Sequence, residues 1–333
     1  MTKEVFHMLK EMFIKLSENQ LLHEAAQKYG LKLGAQHIVA GTNLEEMLAT
    51  VRRLNEQRIS CTIDNLGEFV YEKKEALQAK ENILAVVELI EHEQIDAHIS
   101  LKPSQLGLDI DLDFCFDNCL EIVDRASEYG IFVNFDMENY SRLEPTLQIV
   151  EKLAQSYDNV GTVIQAYLLR AKDDIERFKD LRLRIVKGAY QESDDVAYQD
   201  KLEIDINFLV LIEYHLLHGK FTSIATHDHL IIDHVKKLVE DYDISQDQFE
   251  FQMLYGFRSE LQEELAKKYN VCTYVPFGHD WYGYFMRRLA ERPQNIQLVT
   301  KQVFTKKTNT LLAVGIGAFL LGRLSKRKKA RKK

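Results

Sequence analysis

Short runs rich in β-branched and aromatic residues alternate with longer helical stretches from Cys61 onward. Stretches such as 71–91, 199–217 and 229–242 are long enough for helices that return the chain to the start of a parallel strand. The predicted strands are CTIDNL, HISL, IFVNFD, TVIQAYL, LRIVKG, FTSIATHD, FEFQML and VCTYVP. Eight βα units close a barrel, so the pattern predicts an α/β fold with a (βα)8 barrel of the TIM type.

An open doubly wound sheet is the alternative fold for such an alternating pattern. Its first strand should be followed by a glycine-rich dinucleotide loop. No such loop follows CTIDNL, and GIGAFLLG near the C-terminus has the wrong spacing and no strand before it. The barrel is therefore favoured.

Different patterns flank the repeat at both ends of the chain. Residues 1–58 are predicted to be helical, because Met8, Met12 and Leu16 have helical spacing and GTNLEE supplies a turn and an N-cap before a helix over 47–54. Residues 59–300 hold the predicted barrel, and residues 301–333 form a basic tail with a short apolar segment. The chain thus divides into three predicted segments.

Charge is distributed unevenly along the chain. The tail carries eleven Lys and Arg and no acid, so the net charge of −8 for the whole chain leaves −19 on the first 300 residues. Binding of nucleic acid phosphates normally needs a basic face, and an acidic body argues against that class of partner.

The cysteines and the first ten residues indicate the cellular compartment in which the protein is expected. The four cysteines form no CxxC pair and have no histidine at metal-ligand spacing, and the first ten residues do not resemble a signal peptide. We therefore expect a reducing, cytoplasmic setting and no metal site. Cys115 and Cys119 are spaced i, i+4, which suits packing within a helix but leaves redox chemistry open.

Polar side chains occur where nearly every predicted strand ends. Barrel enzymes place their catalytic groups at this end, where the strands lead into the following loops. Ordinary loop polarity accounts for one or two such residues but not for a set on all eight strands, so we predict an active site there. The set comprises Asp64, Glu68, Lys102, Asp136, Glu138, Gln165, Arg184, Lys187, Thr226, His227, Asp228, Gln252 and Tyr274.

Five separated motifs make the chain resemble the proline dehydrogenase family, whose members are flavin enzymes with a (βα)8 barrel. They occur in the family's order between about His37 and Leu298. The two most specific are RIVKGAYQE (184–192) and YVPFGHDWYGYFMRRLAERPQN (274–295). The others are TVIQAY (162–167), IATHD (224–228) and FEFQMLYGFR (249–258). The resemblance implies FAD-dependent oxidation of L-proline to 1-pyrroline-5-carboxylate, the first step of proline catabolism to glutamate.

The last motif contains a predicted helix with two adjacent arginines. Tyr284, Arg287, Arg288 and Glu291 share one face by their spacing, and guanidinium groups hold carboxylates through paired charged hydrogen bonds. The resemblance implies that the two arginines bind the proline carboxylate with help from Lys102. It also implies that Tyr274 and Tyr284 contact the pyrrolidine ring of the substrate, and that Tyr274 favours proline over hydroxyproline.

The flavin contacts follow from the resemblance alone. Arg184 is expected near flavin N5, where it would stabilise the reduced ring, and Lys187, Gly188 and Ala189 are expected to support the cofactor. The other implied FAD contacts are Met137, Gln165, Thr226, His227 and Gln252. Where the family has ATHN this chain has ATHD, so Asp228 is not assigned as a ligand.

The resemblance also implies the course of the reaction. Hydride passes from the substrate ring carbon beside nitrogen to flavin N5, and Asp136 contributes to catalysis by holding Arg184 or a tyrosine. No residue is identified as the base that deprotonates the substrate amine. Electrons are expected to pass to a quinone-type acceptor and the product to a separate pyrroline-5-carboxylate dehydrogenase.

The tail suggests contact with a membrane surface. Residues 311–322 form an apolar run of twelve residues, which as a helix would extend ~18 Å and so fall short of the ~30 Å hydrocarbon core. The polybasic end that follows favours peripheral docking on anionic lipid at the inner face of the cell membrane. A disordered basic tail and a partner-binding helix are the alternatives, and insertion of residues 308–324 is not settled by the sequence.

Two other functions compete with this interpretation. A flavin-barrel reductase that uses folate and a nicotinamide nucleotide gives no reason for the paired arginines and their flanking tyrosines. A membrane-docked binding protein that has lost turnover should lack a site group, whereas Lys102, Asp136, Arg184, Arg287 and Arg288 are all present.

Overall fold

Eight parallel strands close into a barrel in the computed structural model, which describes residues 35–67 and 70–291. Each strand pairs with its neighbour in sequence, and β1 also pairs with β8, so the barrel has no free edge. The predicted (βα)8 fold is confirmed. The strands are β1 Ser60–Asn65, β2 Ala97–Leu101, β3 Val133–Phe135, β4 Val160–Gln165, β5 Arg182–Val186, β6 Phe221–Ala225, β7 Phe249–Leu254 and β8 Val271–Phe277.

Helices follow the strands and bury their apolar faces against them. The core between the two layers contains large side chains that are almost fully buried, among them Phe135, Phe249 and Phe251. The helices are α1 Leu44–Glu56, α2 Lys73–Glu93, α3 Leu112–Glu128, α4 Tyr140–Ala154, α5 Ala171–Phe178, α6 Lys201–His218, α7 His229–Asp241, α8 Ser259–Leu265 and α9 Trp281–Glu291. Short 3-10 turns occupy Ala35–His37, Pro103–Leu106 and Gln246–Gln248.

Five predicted strands end earlier in the structure than in the sequence pattern, and for two of them a single residue after the strand accounts for the difference. The run LRIVKG leaves the sheet after Val186, because Gly188 adopts φ +112° and cannot continue an extended strand. The run FTSIATHD leaves it after Ala225, because Asp228 is the N-cap of α7 and its side chain accepts a hydrogen bond from Leu230 N at 3.0 Å. The capping role explains the acid in ATHD without a ligand.

The described residues fall into two compact units. One, Ile38–Trp281, contains the barrel and also α1, whose predicted N-cap is provided by Asn43 accepting from Glu46 N at 2.9 Å. Among the described residues, the other unit contains 35–37 and 282–291, and therefore includes α9 after its first residue. The predicted helices around Met8 and Leu16, the strand-end residue Glu68 and the tail at 301–333 lie outside the described residues. Across the described part of the chain, no helix has both the length and the apolar character required to cross a bilayer.

Candidate active site

The lumen of the barrel is lined with polar and charged side chains. Arg184 is 5% exposed and extends from the middle of β5 rather than from the loop after it. Its Nη1 donates to Asp136 Oδ1 at 2.5 Å and to Ser100 Oγ at 2.9 Å, its Nη2 to Thr62 Oγ1 at 3.1 Å, and its Nε to Gln252 Oε1 at 2.6 Å. Acceptors from four other strands or strand ends therefore fix the plane of the guanidinium.

Asp136 connects this guanidinium to a tyrosine. Its Oδ1 accepts from Arg184 and from Asn134 Nδ2 at 3.0 Å, while its Oδ2 accepts from Tyr274 OH at 2.7 Å. Burial raises the pKa of Asp136, but Arg184 and Lys102 outweigh it, and the net pKa lies below its ordinary value. Asp136 is therefore ionised at neutral pH, as an anchor for a buried cation must be.

A second carboxylate, that of Asp64, lies beside Asp136 and pairs with Lys102. Lys102 Nζ donates to Asp64 Oδ2 at 2.7 Å and lies 3.6 Å from Asp136 Oδ2. Tyr274 OH lies 2.6 Å from Asp64 Oδ2, so its single hydrogen is shared between two carboxylates. Burial raises the pKa of Asp64 above its ordinary value despite the attraction of Lys102. The resulting cluster of Asp64, Lys102, Asp136 and Arg184 has two charges of each sign.

The loop after β5 approaches an aromatic ring very closely. A Cβ on Gly188 would collide with the ring of Tyr167, and the positive φ of Gly188 already disfavours a side chain. Lys187 Nζ pairs with Asp205 Oδ1 on α6 at 2.5 Å, and Ala189 next to the glycine is exposed. The glycine lets the loop backbone lie against Tyr167, where a larger residue could not be accommodated.

Other predicted cofactor residues lie at the carboxyl ends of neighbouring strands. Met137 and Thr226 are buried just after β3 and β6. His227 Nε2 accepts from Leu254 N at 3.2 Å. Gln165 ends β4 and donates through Nε2 to Glu138 O at 3.3 Å, while its buried Oε1 has no hydrogen-bond partner. A buried acceptor of this kind fits a ligand that brings a hydrogen-bond donor.

The remaining predicted substrate residues lie on α9. Arg288 Cζ is 5.2 Å from the ring centroid of Tyr284, one helical turn earlier. The side chain of Arg287 lies outside the described residues. Because this part of α9 belongs to the second compact unit, the contact of Tyr284, Arg287 and Arg288 with substrate stays a prediction.

Several lumen residues were missed by the search for polar strand ends. Thr62, Ser100 and Glu250 bind members of the cluster or their partners, but each lies two residues before a strand-end group. Side chains alternate between the two faces of a strand, so residues two apart both point into the lumen. A search for polar residues at a spacing of two would have found all three.

Comparison with known proteins identifies close relatives. A family model described as proline dehydrogenase matches residues 47–301. Proline dehydrogenase 1 of Bacillus subtilis subsp. natto is 45% identical over 302 residues, which cover 90% of this chain and 100% of the relative. Proline dehydrogenase of Deinococcus radiodurans is 39% identical over 275 residues, which cover 80% of this chain and 89% of the relative.

Solved structures share the fold. Proline utilization A from Bdellovibrio bacteriovorus superimposes with a TM-score of 0.75 at 22% identity, over 92% of this chain and 38% of that longer protein. The Bradyrhizobium japonicum protein of the same name, as a D778Y mutant, gives a TM-score of 0.67 at 26% identity, over 80% of this chain and 31% of that one. The chain therefore spans about a third of the length of these solved structures.

Proposed function

Since the chain belongs to the proline dehydrogenase family, an oxidoreductase family acting on CH–NH groups, we propose that it oxidises L-proline to 1-pyrroline-5-carboxylate with FAD. Arg184, which four side-chain hydrogen bonds hold in the barrel lumen, carries this proposal, because it is a fixed cation at the site where reduced flavin would need one. Asp136 holds that cation in place. Both residues are proposed to be catalytic.

The chain fits a flavin at the carboxyl end of the barrel. Gln165 Oε1 is a buried acceptor without a partner, and the bare backbone at Gly188 allows a close approach. When bound, FAD would supply the hydride acceptor. From the resemblance to the family, we propose that FAD is held by Met137, Gln165, Lys187, Gly188, Ala189, Thr226, His227 and Gln252. Arg184 would favour the reduced ring by stabilising the negative charge that the ring carries.

The proposed substrate site adjoins the cluster of four charges. Lys102 and Tyr274 lie beside Asp136, and Arg184 Cζ is 5.3 Å from the Tyr274 ring centroid. We propose that Lys102, with Arg287 and Arg288, binds the proline carboxylate and that Tyr274 and Tyr284 bound the ring. The protein's contribution is to orient the substrate carbon within about 3.5 Å of the acceptor atom.

The first experiment measures the absorbance of the purified, FAD-loaded protein under anaerobic conditions before and after L-proline is added. We expect the visible flavin bands to disappear with L-proline and to return when a soluble quinone is admitted. Bands that persist with L-proline but disappear with another amine would change the substrate. Protein that binds no FAD would leave a binding function in place of the enzyme.

We propose further that the basic tail docks the enzyme peripherally on anionic membrane from the cytoplasmic side. The support is the sequence of residues 311–333, an apolar run followed by eight Lys and Arg. Such docking would bring the flavin near a membrane quinone, and a separate dehydrogenase would consume the product. The full chain should sediment with vesicles containing phosphatidylglycerol, whereas a variant with Lys328, Lys329, Lys332 and Lys333 changed to Gln should remain in solution. Equal binding of both chains to the phosphatidylglycerol vesicles would contradict the electrostatic part of the proposal.

A further inference from the structure

The hydrogen-bonded network around Arg184 continues toward the amino end of the barrel. Gln252 Oε1 accepts from Arg184 Nε, and Gln252 Nε2 donates to Glu250 Oε1 at 2.5 Å. Glu250 is 4% exposed and lies two residues before Gln252 on β7, so both side chains enter the lumen. Gln252 is thus a bridge between a guanidinium on one side and a carboxylate on the other.

The chemistry of its two neighbours fixes which way the Gln252 amide faces. A guanidinium only donates hydrogen bonds and a carboxylate only accepts them. The amide nitrogen must therefore face Glu250 and the amide oxygen must face Arg184. The reversed amide would place its nitrogen against the Arg184 N–H and its oxygen against the Glu250 carboxylate, and both hydrogen bonds would be lost.

Glu250 is itself held by residues outside the cluster of four charges. Arg182 Nη2 donates to Glu250 Oε1 at 2.6 Å, and Ser223 Oγ donates to the same oxygen at 2.7 Å. The Arg182 guanidinium lies between two aromatic rings, 4.5 Å from the centroids of Phe132 and Phe221. Three donors converge on one carboxylate oxygen, so Glu250 presents a fixed acceptor to Gln252.

We propose that Glu250 is a positioning residue for the reaction, which sets the orientation of the Gln252 amide and through it the orientation of Arg184. The inference rests on the proposed function for its effect on flavin, and on geometry alone for its effect on Arg184. Arg182 acts one step further away by fixing Glu250. Orientation of the catalytic cation is thus set from the amino end of the barrel.

The first test compares Glu250→Ala with Glu250→Gln. Alanine removes the acceptor that orients Gln252, whereas glutamine keeps an oxygen that Arg182 and Ser223 hold toward the same donor. We expect Glu250→Ala to lower kcat about tenfold, a barrier change of about 1.4 kcal/mol, while the KM for L-proline stays within about twofold. The midpoint potential of bound FAD should become more negative, since Arg184 is less well placed to stabilise reduced flavin. Glu250→Gln should restore most of both values.

Asp174→Ala is the control, because Asp174 is a buried carboxylate on α5 whose ion pair with Arg170 involves neither Glu250 nor Gln252. It should lower the melting temperature slightly and leave kcat and the flavin potential unchanged. If Glu250→Ala loses only thermal stability, like this control, Glu250 is structural and the proposal is wrong.

A second pair of variants decides the matter if Glu250→Ala does not fold. Gln252→Glu places a second carboxylate against Glu250, and we expect a large loss of kcat. Adding Glu250→Gln removes the like charge that faces the carboxylate introduced at position 252, so the double variant should recover at least about tenfold in kcat. A double variant no better than Gln252→Glu would show that residue 250 does not act through residue 252.

Failure of the proposed function would be seen separately. If the wild-type protein binds no FAD, the kinetic tests cannot be applied, and crystal structures of the unliganded wild-type and Glu250→Gln and Glu250→Ala proteins provide the readout. Retention of the Arg184 to Gln252 hydrogen bond in all three structures would overturn the proposal that Glu250 positions Arg184 through Gln252. Loss of this hydrogen bond in Glu250→Ala alone would support the proposal even without flavin.

Discussion

Replacing Asp136 with alanine is expected to lower kcat/KM for L-proline by about two to three orders of magnitude, the scale seen when one preorganised charged contact is removed from an active site. The change removes an acceptor from Arg184 Nη1 and one of the two carboxylate acceptors of Tyr274 OH. Two buried cations would then share one carboxylate. We also expect the free energy of unfolding to fall by about 3–5 kcal/mol, because a buried charge is left unpaired. Steady-state kinetics and denaturant unfolding measure the two effects.

Asp174→Ala is the control for Asp136→Ala. Asp174 is a buried carboxylate on α5 that pairs with Arg170 Nη2 at 2.8 Å, outside the lumen. Its loss should destabilise the protein while kcat/KM stays within about twofold, since independent sites contribute separately. Similar kinetic losses in the two variants would mean that general destabilisation, and not the loss of the Arg184 anchor, explains the effect.

Gly188→Ala should have the next largest effect, on the affinity for FAD. The new Cβ would collide with the Tyr167 ring, and the alanine would have to adopt the φ of +112° that Gly188 has. If relief of the collision moves the loop at a cost of about 1–3 kcal/mol, the dissociation constant for FAD rises about fivefold to about 150-fold. Titration of the flavin-free protein with FAD, followed by fluorescence, measures this constant.

Gly130→Ala isolates the backbone contribution. Gly130 also has a positive φ, +67°, but a Cβ there would have no neighbour within 4 Å. We expect it to cost about 1–2 kcal/mol of stability through the backbone conformation alone and to leave the affinity for FAD unchanged. If Gly130→Ala weakens FAD binding as much as Gly188→Ala, the close approach to Tyr167 is not what the cofactor loop requires.

The barrel could be predicted from the sequence because its signal is local and repeated. FEFQML coincides with β7, and the other seven runs differ from β1–β6 and β8 only at their ends. Those ends depend on single residues, such as the positive φ of Gly188 and the capping by Asp228, whose conformations are set by the loops around them. The presence of each strand can thus be predicted from the local sequence pattern, whereas the length of the strand depends on its tertiary context.

The contacts within the lumen could not be predicted in the same way. Arg184 binds Thr62, which is 122 residues away along the chain, and Ser100, which is 84 residues away. Such pairs are brought together by closure of the barrel and by the stagger of its strands, which no local pattern encodes. Family resemblance named Asp136 and Arg184, but only the structure reveals that Asp64 and Glu250 extend their network to both ends.

All four cysteines of the chain are free and buried, and burial raises the pKa of Cys61, Cys119 and Cys272. Thiol-selective dyes react with exposed thiolates, which attack the dye as nucleophiles. Because the native cysteines are buried, the native protein should resist labelling. A cysteine introduced at an exposed position such as Tyr242, at the end of α7, would then carry a single fluorophore without prior removal of native thiols. A donor at that position and an acceptor dye in the bilayer would turn the distance between barrel and lipid into an energy-transfer signal.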